Sequence, residues 1–97
     1  MVSVSVTVYI PSALRVEADG RSKVTIDAAR AATLADVLDV LAELHPRLNR
    51  RVRDEQGRLR RYVNVFIDSD ESRALSGTAT PVRDGAEVRI LPSVAGG

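Results

Sequence analysis

The two residues that end the chain, Gly96 and Gly97, could do chemistry that no side chain in it supports. At an average glycine usage of about 7%, paired terminal glycines arise by chance in roughly one chain in 200. Without a Cβ, glycine adopts backbone angles and close approaches that other residues do not reach. A tail that threads a narrow channel and presents its own carboxylate needs that property. The competing reading is a frayed terminus, the usual fate of last residues. Side-chain chemistry is sparse: with no cysteine, disulfides, thiol catalysis and cysteine-ligated metals are excluded. The single histidine, His45, argues against a histidine-built metal site, and beside Pro46 it suits the negative end of a helix or plain exposure. Asp68, Asp70 and Glu71 lack the spacing and glycine of a calcium loop and read as a solvated turn.

Seven arginines fall between Arg47 and Arg61, diluted only by Asp54 and Glu55. They suit either a solvated connection, in a chain whose one lysine is Lys23, or a docking patch for an acidic partner. Nucleic acid is not expected, because base reading or stacking needs groups that three aromatics (Tyr9, Tyr62 and Phe66) do not supply.

These residues sit in 97 residues of ordinary globular composition, 44% hydrophobic and 28% charged, which is one domain's worth of chain. Fourteen basic residues against 13 acidic give a net charge of +1, so no anionic membrane or polyanion is called for. The opening MVSVSVTV lacks the basic start and apolar run of a signal peptide, and no stretch approaches the roughly 20 apolar residues of a membrane span. The end is neither a prenylation box nor an anchor tail, and a cytoplasmic location is expected.

The elements that must position the tail follow from periodicity. Val2 to Ile10 alternates, with Val2, Val4, Val6, Val8 and Ile10 on one face; Pro11 ends it. After a turn at Asp19-Gly20, Lys23 to Ala28 alternates again, which predicts an antiparallel hairpin with a wide loop. Leu34, Val37, Leu38, Leu41 and Leu44 form one helical stripe over Thr33 to His45. Thr33 and Asp36 predict an acidic capping box, and Pro46 stops the helix. Arg47 to Arg61 reads as a polar connection with a turn at Gln56-Gly57, Tyr62 to Ile67 as a strand, and Asp68 to Gly77 as a loop. A turn at Asp84-Gly85 precedes a last strand, Glu87 to Leu91, which Pro92 is expected to break. Strand, strand, helix, strand, strand is the order of an α+β, β-grasp-like arrangement, a mixed four- to five-stranded sheet with one main helix on one face. It divides the chain into a domain at 1–91 and a tail at 92–97.

With these elements in place, YIPSALR at Tyr9 to Arg15, TLADVL at Thr33 to Leu38, RYVNVFID at Arg61 to Asp68 and RDGAEVRILPSVAGG at Arg83 to Gly97 together resemble the ubiquitin-like sulfur-carrier (MoaD/ThiS) family. The resemblance covers essentially the whole chain and is nearest to the CysO-type branch that serves cysteine biosynthesis. It implies a carrier and not an enzyme. An E1-like adenylating enzyme would use ATP to convert the Gly97 carboxylate to an acyl-adenylate, and a sulfur donor would displace AMP to leave a thiocarboxylate. Gly97 would be the reactive residue, with Gly96, Ala95 and Val94 as the slender tail, and the carrier itself would bind no cofactor. The implied acceptor is a pyridoxal-phosphate-dependent cysteine synthase acting on an activated serine, with a metalloprotease releasing the product. The small subunit of molybdopterin synthase, or a donor for another thiolated metabolite, is the alternative within the family. A ubiquitin-like interaction module with an inert tail is the alternative from another class. Ubiquitin-like proteins offer the open face of the sheet to activating enzymes, which makes Phe66, Leu91 and Val94 expected partner contacts. With the strand register reversed, Phe66 would be a core residue instead.

Overall fold

In the computed structural model, which describes residues 5–92, alternation produces strands where it is strictest. β1 (Ser5–Tyr9) and β2 (Lys23–Asp27) pair antiparallel with Val6 opposite Ile26 and Val8 opposite Val24. β3 (Val63–Ile67) pairs antiparallel with the two-residue β4 (Asp70–Glu71) and with β5 (Glu87–Pro92). β5 also lies parallel to β1, so the sheet has the order β2-β1-β5-β3-β4, a β-grasp arrangement with the parallel pair at its centre. The residues expected at 2–4 of the first strand lie outside the described residues.

Helix α1 (Leu34–Leu44) covers one face of this sheet, and its start is fixed by the expected capping box. Thr33 Oγ1 accepts from the Asp36 amide at 3.3 Å while Asp36 Oδ2 accepts from the Thr33 amide at 3.1 Å. Leu34, Val37, Leu38 and Leu41 are buried with Val6, Val8, Val65, Val88 and Ile90 in one continuous core. Removing each such side chain from water is worth roughly 1.5–3 kcal/mol, most of it offset by chain entropy. Leu44 departs from the expected stripe and stands 52% exposed, because the chain turns at the next residue and His45 takes the inward position at 8% exposure. His45 is therefore the residue that ends α1 and is buried, not exposed, with Nδ1 3.6 Å from Asp19 Oδ2.

Three further differences have local causes. Pro46 stops α1 as expected, yet it also opens a second helix, α2 (Pro46–Val52), because a proline at the first helical position gives up an N–H that would be unbonded anyway. Leu48 and Val52, four residues apart, are all that α2 buries, too few to stand out among arginines. The expected loop between β1 and β2 contains a 3-10 helix (Ser12–Ala18) that buries Leu14 and Ala18, and the expected loop after Asp68 holds β4 and two 3-10 turns. Pro92 does not break the ladder: it pairs with Val63 as the last residue of β5. The pairing of β5 with β1 has already ended at Arg89, so Pro92 occupies a one-sided position where its missing N–H is tolerated. No helix among the described residues is long and apolar enough to cross a membrane.

Candidate functional site

The described residues end at Pro92, and Val94, Ala95, Gly96 and Gly97 lie outside them. What the structure defines is the root from which they extend. β5, the central strand, is paired with β1 through Arg89 and with β3 through Pro92, so at its last residues it is held by β3 alone. On one flank of the root, Tyr9, Pro11, Arg15, Arg89 and Leu91 line a shallow cleft of about 240 Å³. On the other, Leu14, Arg51, Tyr62, Val63 and Pro92 surround a smaller one of about 110 Å³.

Strand parity settles the orientation of Phe66. Val63, Val65 and Ile67 point into the core, so Phe66 lies half-buried on the open face, and the reversed register does not occur. Its cross-strand neighbours are Arg89 and Glu71. Leu91, 44% exposed, is opposite Asn64 and is therefore a diagonal neighbour of Phe66 on the same face. The structure thus brings Phe66 and Leu91 together beside the tail root, while Val94, their expected companion, is among the residues not described.

A polar cluster that no sequence motif marks lies on the same face. The Arg89 guanidinium stacks 4.4 Å from the centroid of the Tyr9 ring and lies 3.2 Å from Glu87 Oε1. The Tyr9 hydroxyl donates to Glu87 Oε2 at 3.1 Å. That hydrogen bond, together with the carboxylate's charge, raises the Tyr9 pKa above its ordinary value against a smaller opposing effect of Arg89. The signal was present in the outward parity of Tyr9 and of Glu87 and Arg89. The parallel register that joins them was not. Among the described residues no group of three or more histidine or acidic side chains is placed to hold a metal ion.

Comparison with known proteins agrees with this geometry. The model of the ThiS family matches residues 9–97. The sulfur carrier protein CysO of Mycobacterium tuberculosis is 37% identical over 95 residues, covering 96% of this chain and 99% of the relative. Small archaeal modifier protein 1 of Haloferax volcanii is 38% identical over 81 residues, 84% of this chain and 88% of the relative. Among solved structures, a chain of the Amycolatopsis orientalis BexX/CysO complex superimposes with a TM-score of 0.84 at 34% identity, over 95% of this chain and 99% of that one. The crystal structure of Mycobacterium tuberculosis CysO gives 0.82 at 34% identity, over 92% and 99%.

Proposed function

This chain belongs to the ThiS family, and from that premise we propose that it is a sulfur carrier that cycles between carboxylate and thiocarboxylate at Gly97. The observation that carries the reading is the extent of the family match, which runs to residue 97 and so takes in the Gly96–Gly97 end along with the domain. A carboxylate is a poor electrophile. In the proposed cycle a Gly97 oxygen attacks the α-phosphorus of ATP on an E1-like enzyme, pyrophosphate leaves, and the acyl-adenylate that results has AMP as a good leaving group. Sulfide then adds to the acyl carbon, AMP departs, and a proton is released to leave the thiocarboxylate. The chain's part is to deliver a slender end to two active sites in turn, and it supplies no acid, base or cofactor of its own.

The 37% identity to CysO supports cysteine biosynthesis as the pathway supplied, with a pyridoxal-phosphate-dependent synthase as acceptor and a metalloprotease to free the product. Phe66 and Leu91 are the proposed contacts for the activating enzyme, since they are apolar, adjacent and beside the tail root. The 38% identity to a small archaeal modifier protein favours a second reading, in which the activated Gly97 is joined to an amine of another protein.

Intact mass after incubation with ATP, sulfide and the adenylating enzyme of the same organism tests the proposal, with a Gly97 deletion alongside. The expected result is the gain of one sulfur in place of one oxygen, absent from the deletion. An unchanged mass, with the enzyme active on another carrier, would overturn it. Conjugates of higher mass that need Gly97 would establish the second reading.

A further inference from the structure

The seven arginines between Arg47 and Arg61 are not used alike by the fold. Arg53 is turned inward, with Nη1 2.9 Å from Asp39 Oδ1 and Nε 2.8 Å from Asn49 Oδ1. Arg58 lies 3.6 Å from Asp54 and Arg51 3.5 Å from Glu17. Arg47, Arg50, Arg60 and Arg61 have no carboxylate within 4 Å among the described residues. Seven arginines against Asp54 and Glu55 leave this stretch at +5 in a chain of net charge +1, so the remainder carries −4. The charge is therefore uneven along the chain, and Glu17 and Asp39 from the remainder offset only two of the seven arginines.

The fold places this excess at the tail root. The Arg60 carbonyl accepts from the Val63 amide at 3.0 Å, and Val63 is the residue paired with Pro92. Arg60 Nε donates to the Arg50 carbonyl at 2.7 Å, which holds the C-terminal half of α2 against the same corner. Arg51 shares a cleft with Tyr62 and Pro92. Arg73 joins them, donating to the Arg60 carbonyl at 2.8 Å. Of the carboxylates near this corner, Glu17 and Glu71 are already engaged by Arg51 and Arg73, and Asp54, whose charge Arg60 also meets, by Arg58.

Chain length says what this collar meets. Five residues, Ser93 to Gly97, follow Pro92, and fully extended they span at most about 17 Å. With the tail inserted in a channel, the reacting carboxylate is out of an arginine's reach, whereas the rim of the channel is against the root. We propose that Arg50, Arg51, Arg60 and Arg61 are a docking surface for an acidic protein partner, meeting carboxylates around the mouth of the channel that takes the tail. This rests on the reading of the tail as the carrier's reactive end. Charges at an interface rim act mainly on encounter and orientation, so the collar's effect belongs in KM and in salt dependence, with kcat spared.

The experiment measures thiocarboxylate formation by the adenylating enzyme of the same organism, with sulfide as sulfur source, for four proteins. They are the wild type, Arg50→Glu with Arg61→Glu, Arg50→Lys with Arg61→Lys, and Arg30→Glu with Arg83→Glu. The last pair makes the same change in net charge at the opposite end of the sheet, and both exchanged collar residues are exposed, so folding is not at stake. Collar reversal is expected to lower kcat/KM by about tenfold, through KM. The lysine pair and the distant pair should remain near wild type. Wild-type kcat/KM should fall as ionic strength rises from about 0.01 to 0.15 M, where the Debye length shrinks from about 30 to 8 Å, and the collar reversal should flatten that dependence. Equal kcat/KM for wild type and collar reversal would overturn the proposal. So would a salt-steep affinity for a mixed RNA oligomer that the reversal abolishes while conversion is untouched, which would assign the collar to a polyanion. If the wild type is not converted by an enzyme that converts another carrier, the carrier reading itself fails and the docking surface fails with it.

Discussion

Tyr9, Glu87 and Arg89 form one electrostatic unit on the open face, and its behaviour with pH follows from the hydrogen bond between Tyr9 and Glu87. A phenol that donates to a carboxylate holds its proton more tightly than in the unfolded chain, so its folded pKa is raised. The stability this contributes is complete below the unfolded value near pH 10 and is lost as pH rises through the folded one. With Tyr62→Phe as background, tyrosinate absorbance reports Tyr9 alone. Its midpoint is expected above that of a free tyrosine and should move down when Glu87→Gln is added, because both the charge and the stronger acceptor are removed. A midpoint that ignores Glu87→Gln would show that the hydrogen bond does not govern Tyr9. Asp54 is the opposite case: its carboxylate accepts from the Arg58 and Gln56 amides, which lowers its pKa, so its contribution is present above the ordinary carboxylate range and is lost on acidification. Parity along β1 and β5 put Tyr9, Glu87 and Arg89 on the outer face, but only the register of two strands far apart in the chain makes them neighbours.

Among the elements, those with a strict period were legible and those stabilised by a few anchors were not. α1 has five buried apolar residues at helical spacing and a capping box written in Thr33 and Asp36, so both its face and its start follow from local sequence. α2 buries only Leu48 and Val52, and a seven-residue helix is marginal on its own. What secures it is tertiary: Arg53, 10% exposed at its side chain, caps the end of α2 and reaches across to Asp39 on α1. Asp39→Ala leaves that guanidinium without its carboxylate and should cost about 1–2 kcal/mol, discounted because Asp39 is 64% exposed. Adding Arg53→Met to Asp39→Ala should cost less than Asp39→Ala alone, since no buried cation then lacks a counter-charge. Urea unfolding of the two variants decides it, and a larger loss in the double variant would mean that Arg53 matters for its packing and not for the pair. The same logic explains Pro92, whose place in β5 depends on which neighbour strand has already ended, a fact that no local pattern contains.

At the scale of the whole molecule, the core and the proposed contact residues are separate. α1 and the inner face of the sheet bury one continuous cluster, while Phe66, Leu91 and the arginine collar lie outside it. Alternation predicted the strand residues of that cluster, because the inward parity of each strand is local, but not Leu14, Ala18, Leu48 or Val52, and it could not predict the order β2-β1-β5-β3-β4, since parallel and antiparallel partners share the same period of two. The order matters because it makes β5 both the central strand and the stalk of the tail. Val88, fully buried, sits on β5 between Val8 and Ile67. Val88→Ala removes two methyl carbons from that position and should cost about 2 kcal/mol, read as a lower urea midpoint at an unchanged slope. A small domain with 5 kcal/mol of stability would keep about 3, so under about 1% of molecules are unfolded at 25 °C. Thiocarboxylate formation per molecule should therefore match wild type, in contrast to the Gly97 deletion, which should keep the wild-type midpoint and form none. A fall in conversion with Val88→Ala well beyond the unfolded fraction would mean that packing behind β5 sets the direction of the tail, and that the core takes part in presenting it.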